Sequence, residues 1–144
     1  LRASKKMYIF EMAESMNDFL DKKFSEKVRQ EIVDRRIHVH QLTNSRHIKP
    51  HTKVLELVTS YWNVRWVDPK VLNIKFETLI YNNTVSMYSF EGKEPFCVEI
   101  SDVRLAAMQK QLFKAIWKGA IRMEIVGSEG EARVPSKLNE NGRP

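Results

Sequence analysis

The stretch Asn73–Phe90, NIKFETLIYNNTVSMYSF, restricts most strongly what this chain can become. Two arms rich in β-branched and aromatic residues alternate with polar side chains and flank Asn82-Asn83, the pattern of antiparallel strands joined by a tight turn. Paired asparagines tolerate the positive φ angles that a two-residue type I′ turn requires. On the first arm the period of two places Lys75, Glu77, Leu79 and Tyr81 on one face and Phe76, Thr78 and Ile80 on the other. If one face is core, Lys75 and Glu77 lie on a surface or at an interface.

The segment before the hairpin sets the class of fold. Lys6–Met12 (KMYIFEM) is apolar on both faces, as expected for a strand in a helix-covered sheet. Ser15 with Asp18 three residues later resembles a capping box. Met16, Leu20, Phe24, Val28 and Ile32 recur every four residues, with Phe19 and Val33 widening the stripe, and predict an amphipathic helix from about Met16 to Arg35. Ser25 is a place where that helix could break and a second segment be capped. Arg35 and Arg36 suit the negative end of the helix dipole. Ile37–Thr43 (IHVHQLT) reads as a second strand, so strand, helix and strand form a βαβ unit with parallel strands and a right-handed crossover.

Further along, Asn44–Thr52 reads as a loop, Lys53–Tyr61 as one or two helical turns, and Asn63–Val67 as a strand ended by Asp68-Pro69. Beyond the hairpin, Phe96–Ile100 is a strand. Ser101 precedes a helix that runs to about Gly119, with Leu105, Met108, Leu112, Phe113, Ile116 and Trp117 apolar, and Ile121–Val126 is a final strand. The predicted fold class is α/β, a mixed sheet flanked by helices, in one domain over 1–126 with a flexible polar tail over 127–144. A start on Leu1 suggests a fragment of a longer chain.

Composition narrows the function classes. At 144 residues with 42% hydrophobic and 29% charged residues, the chain can bury a core, and its apolar runs are too short for a membrane span. No secretory signal is visible, and the single cysteine excludes an internal disulfide and multi-cysteine zinc patterns, which fits a cytoplasmic location. In its strand setting Cys97 reads as a buried, inert thiol. The net charge of +6 is dispersed among acidic neighbours, so solvated surface explains it better than a nucleic-acid patch.

Residue types that carry chemistry do not assemble into a recognised site. His38 and His40 alternate on a strand and His47 and His51 lie in the next loop, but ordinary strand and surface histidines are favoured over a metal site. No glycine-rich phosphate loop and no Gly-x-Ser-x-Gly elbow occurs. Carboxylate pairs such as Glu11/Glu14 and Glu129/Glu131 read as solvated surface. Trp62, Trp66 and Trp117 read as core before pocket. The site assignment is therefore no catalytic residue, no metal and no cofactor.

The order of motifs carries a resemblance. KKMYIF, the helix with KFSEKVRQEIVDRR, IHVHQLT, WNVRWVDP, LIYNNTVSMYSF, PFCVEI and the helix ending LFKAIWKGA together resemble the phospholipase D-like domain that follows the helix-turn-helix in TrmB-like transcriptional regulators. The likeness covers about Lys5 to Ala120. Phospholipase D enzymes carry His-x-Lys, then four intervening residues, then Asp. The positions matching that motif here are Lys75, Glu77 and Asn82. A lysine replaces the nucleophile and a carboxylate, which repels phosphate, replaces the phosphate-binding lysine. No histidine occurs after His51 to restore the motif in another register. The family usually has a glycine between the first long helix and the second strand, where Arg36 runs directly into Ile37, and often a glycine where Cys97 stands.

The resemblance implies a non-catalytic regulatory domain of a cytoplasmic transcription regulator. It would sense a sugar-like effector, form a homodimer, keep Lys75 and Glu77 at a cleft or two-fold interface, and reach DNA through an N-terminal domain missing from this fragment. No membrane partner is implied. The alternatives are a residual phosphodiesterase or nuclease of the same type, and a basic nucleic-acid-binding module.

Overall fold

A computed structural model of the chain describes residues 6–12, 21–89 and 94–136. Its centre is a seven-stranded mixed sheet in the order β7-β6-β5-β1-β2-β4-β8. The strands are β1 (Lys6–Glu11), β2 (His38–Thr43), β4 (Trp62–Trp66), β5 (Glu77–Tyr81), β6 (Thr84–Ser89), β7 (Phe96–Ser101) and β8 (Ile121–Arg122). The expected parallel pairing of the first two strands is present, with Lys6 opposite His38 and Glu11 opposite Thr43. β4 extends the parallel block on β2, and the hairpin β5–β6 joins antiparallel to β1 through Phe10 opposite Thr78. The mixed α/β class follows directly from a βαβ unit beside a hairpin.

Two clusters of apolar side chains fill the two faces. Alternation along β1 sends Tyr8, Phe10 and Met12 to one face, where Leu42, Ile80, Val85 and Phe113 of α2 (Val103–Trp117) complete the core. The opposite face carries Val39, Trp62 and Val64 against Val33 of α1 (Lys22–Asp34) and Leu57 of a π-helical turn, Leu57–Tyr61. Phe113 is 1% exposed and packs its ring 5.0 Å from Tyr8, 5.1 Å from Phe10 and 5.5 Å from Trp117, so aromatic contacts anchor α2 to the sheet.

Several local expectations change. α1 begins at Lys22 and is capped by Asp21, whose carboxylate accepts the Lys23 amide at 3.0 Å. The anticipated start near Met16 and the Ser15/Asp18 box lie outside the described residues. Ser25 sits buried inside the helix instead of capping a second one. The helical stripe is also rotated: Phe24 is 57% and Val28 39% exposed, because α1 packs on the π turn along the face that carries Ser25, Ile32 and Val33. Asp102 caps α2, accepting the amides of Arg104 at 2.8 Å and Leu105 at 3.2 Å.

At the hairpin only Asn82 has a positive φ, 53°, so the turn lacks the second positive angle of type I′. Cys97 is exposed and not buried, because β7 is an edge strand whose side chains are mostly uncovered on both faces. The segment expected as one last strand divides at Met123. β8 pairs with β4, while β9 (Glu124–Val126) turns into a second, three-stranded sheet with β10 (Glu131–Arg133) and β3 (His47–Ile48). The stretch read as a loose tail from Gly127 thus opens with an ordered hairpin through residue 133, and 137–144 lie outside the described residues. No described helix is long and apolar enough to cross a membrane.

Candidate functional site

The three positions that match the degenerate motif do not come together. Lys75 is exposed and precedes β5, Glu77 opens that strand partly buried, and Asn82 lies at its far end, about 17 Å away at the usual rise of an extended strand. Asn82 serves the hairpin and helix packing: its backbone carbonyl accepts the Lys110 ammonium at 2.7 Å.

Glu77 acquires a different neighbour. β1 and β5 run antiparallel with Phe10 opposite Thr78, so one step further places Glu11 beside Glu77. Both side chains point to the face that carries Gln41 and Thr43 of β2. The Glu77 Oε2 accepts the Met12 amide at 3.0 Å, and the Glu11 Oε2 accepts the Gln41 side-chain amide at 2.7 Å. Gln41 is held in turn by the Trp62 indole N–H at 3.0 Å. A chain of hydrogen bonds therefore runs from the core tryptophan to the carboxylate pair.

The pair cannot comfortably carry two charges. Burial raises the Glu11 pKa to about 7, against the opposing hydrogen bonds from Thr43 and Gln41. Burial, then the Glu11 charge, raises Glu77 to about 8, partly offset by the Met12 amide. Near neutrality the two carboxyls share at least one proton and titrate as a unit. Such a pair can give or take a proton; it cannot hold a phosphate group as a lysine would.

The sequence points to Glu77 but not to its partner, because beside Glu14 the Glu11 carboxyl reads as surface. The available signal was position: Glu11 interrupts KMYIFEM, a strand apolar on both faces, where a carboxylate is bound to be buried. Among the described residues no three His, Cys, Asp or Glu side chains gather as metal ligands. His38 is exposed, while His40 turns onto the α2 face and meets Trp117 edge-on at 5.4 Å. His51 instead packs edge-on against Trp62 at 5.3 Å on the other side of the sheet. No family model and no curated protein matches this chain.

Proposed function

We propose that this chain is a non-catalytic, phospholipase D-like regulatory domain of the kind found in TrmB-like transcriptional regulators: it dimerises, responds to a small effector, and acts on DNA through a helix-turn-helix carried elsewhere in the full protein. The observation that carries this reading is the occupant of the motif strand. β5 lies at the centre of the sheet beside β1, where the resemblance would put the phosphate-binding lysine, yet it begins with Glu77, a carboxyl paired with Glu11. Near neutrality that carboxyl pair still holds at least one proton, so the position that would grip a phosphodiester offers it no positive charge.

Dimerisation draws support from an uneven covering of the sheet. α2 packs on β1, β5 and β6, over Ile80 and Val85, whereas α1 packs on the π turn. The face of β5 and β6 bearing Leu79, Tyr81, Ser86 and Tyr88 stays partly exposed. A two-fold axis on that face lets Lys75 of one protomer approach Glu77 of its partner.

Size-exclusion chromatography with light scattering, together with a chromogenic phosphodiester assay, tests the reading. A dimer without turnover is the expected result. A strict monomer, or turnover that disappears in Lys75→Ala, sinks it.

A further inference from the structure

We propose that the groove along the β4 edge, faced by His40, Asn63, Arg65 and Arg122 and walled by Trp117, binds a small phosphate-bearing anion. This site lies on the other side of the parallel block from the Glu11/Glu77 pair and does not depend on the regulatory reading.

The groove exists because β8 is short. It pairs with β4 at Arg65 and Trp66, and the Met123 amide donates to the Val64 carbonyl at 3.2 Å before the chain turns into β9, so the edge at Trp62 and Asn63 stays open. The opening measures about 240 Å³ and no carboxylate lines it. Its size falls below the roughly 300–1,000 Å³ of pockets for drug-sized ligands and suits inorganic phosphate or a small monoester.

Two guanidinium groups face it from paired positions. Arg65 and Arg122 stand directly opposite each other on antiparallel strands, an arrangement of like charges that destabilises a sheet unless something between them compensates. Among the described residues no carboxylate pairs with Arg122, which is exposed. Arg65 is held in advance: its guanidinium lies 4.6 Å over the Trp117 ring, and Nη1 donates to the Trp117 carbonyl at 2.9 Å. Fixing a planar fork before the ligand arrives lowers the ordering cost of binding.

His40 completes the set. Its Nδ1 is buried and makes no well-formed hydrogen bond among the described residues, interacting only weakly with the His38 backbone. Burial, and then the charges of Lys6, His38 and Arg65, hold the ring neutral. A bound anion would offset those charges and let the imidazole take a proton. A tetrahedral phosphate presents oxygens in several directions and can accept from two arginines on facing strands at once.

Calorimetry and proton–nitrogen NMR of the 144-residue chain test this at low salt, with inorganic phosphate, glycerol 3-phosphate and uncharged glycerol as probes. Saturable binding of both phosphates, none of glycerol, and shifts centred on the Trp117 indole and the His40 ring are expected. Tighter binding of one phosphate then says whether the ion or the monoester is the better ligand. Arg122→Gln, at an exposed position that the fold does not need, should weaken binding about ten- to a hundredfold, and Asn63→Asp should abolish it. The proposal is overturned by no saturable response up to about 10 mM phosphate, by equal binding of glycerol, or by unchanged affinity in Arg122→Gln.

Discussion

Glu77 accepts the backbone amide of Met12 at 3.0 Å, which pins the start of β5 to the end of β1 and brings its carboxyl beside that of Glu11. The hydrogen bond favours the ionised form, yet burial and the second carboxylate outweigh it, and both groups bind protons more tightly folded than unfolded. Unfolding therefore releases protons between the ordinary value of 4.5 and about 8. Stability from this pair is complete below that window and falls as pH rises through it. Chemical denaturation at pH 5 and pH 8 should show a loss on the order of 3 kcal/mol, discounted from the full shifts for partial exposure. In Glu77→Gln, which keeps an acceptor for Met12, the part of that pH dependence due to Glu77 should vanish while the part due to buried Glu11 remains.

Arg36 offers a second test. It sits at φ 57°, with its amide donating to the Val33 carbonyl at 2.9 Å and the Ile37 amide to the Ile32 carbonyl at 3.0 Å. These two bonds are the Schellman closure of a helix end, whose left-handed position ordinarily goes to glycine. Arg36→Gly should stabilise the chain by about 0.5–1 kcal/mol, read as a rise in urea midpoint with an unchanged slope. No change or a loss would mean that the arginine side chain itself contributes.

These two residues also mark how far the sequence could be read. The arginine before Ile37, where a helix end ordinarily takes glycine, was visible in the sequence, and its left-handed backbone is the physical counterpart. The parallel β1–β2 pair and the Asn73–Phe90 hairpin were legible because each rests on local periodicity. The Glu11–Glu77 pairing was not, since it depends on which strands become neighbours at a separation of 65 positions, as the Met12–Glu77 bond measures. The Phe24–Val28 stripe misled for the same reason: periodicity gives the faces of a helix, and only the π turn it meets decides which face is buried. The small sheet β3-β10-β9 uses strands of two or three residues, too short for any alternation to register.

Asn44 holds the segment that delivers β5 to its place. Its side-chain amide donates to the carbonyls of Val67 and Leu72, both at 2.9 Å, and its oxygen accepts the Ile74 amide at 2.8 Å. Residues 67 to 74 contain no strand or helix, so these bonds substitute for a ladder. Asn44→Ala leaves three partly buried backbone groups without partners and should cost about 2–4 kcal/mol. Hydrogen exchange should accelerate at Ile74 well before it does at Leu42 in the core. Uniform acceleration would show that the segment and the sheet unfold as one unit.

Ser86 tests the interface without disturbing the core. It lies opposite Leu79 on the face of β5 and β6 away from α2, partly exposed and flanked by Tyr88. A dimer packed there would bring two copies of this position near the symmetry axis, where an added charge meets its own image. Under the proposed dimerisation, Ser86→Arg should leave a monomer, weakening association at least about a hundredfold, while far-ultraviolet circular dichroism and tryptophan fluorescence remain those of the parent chain. A dimer that persists in Ser86→Arg moves the interface elsewhere, and the exposed Phe24–Val28 stripe of α1 then becomes the surface to mutate.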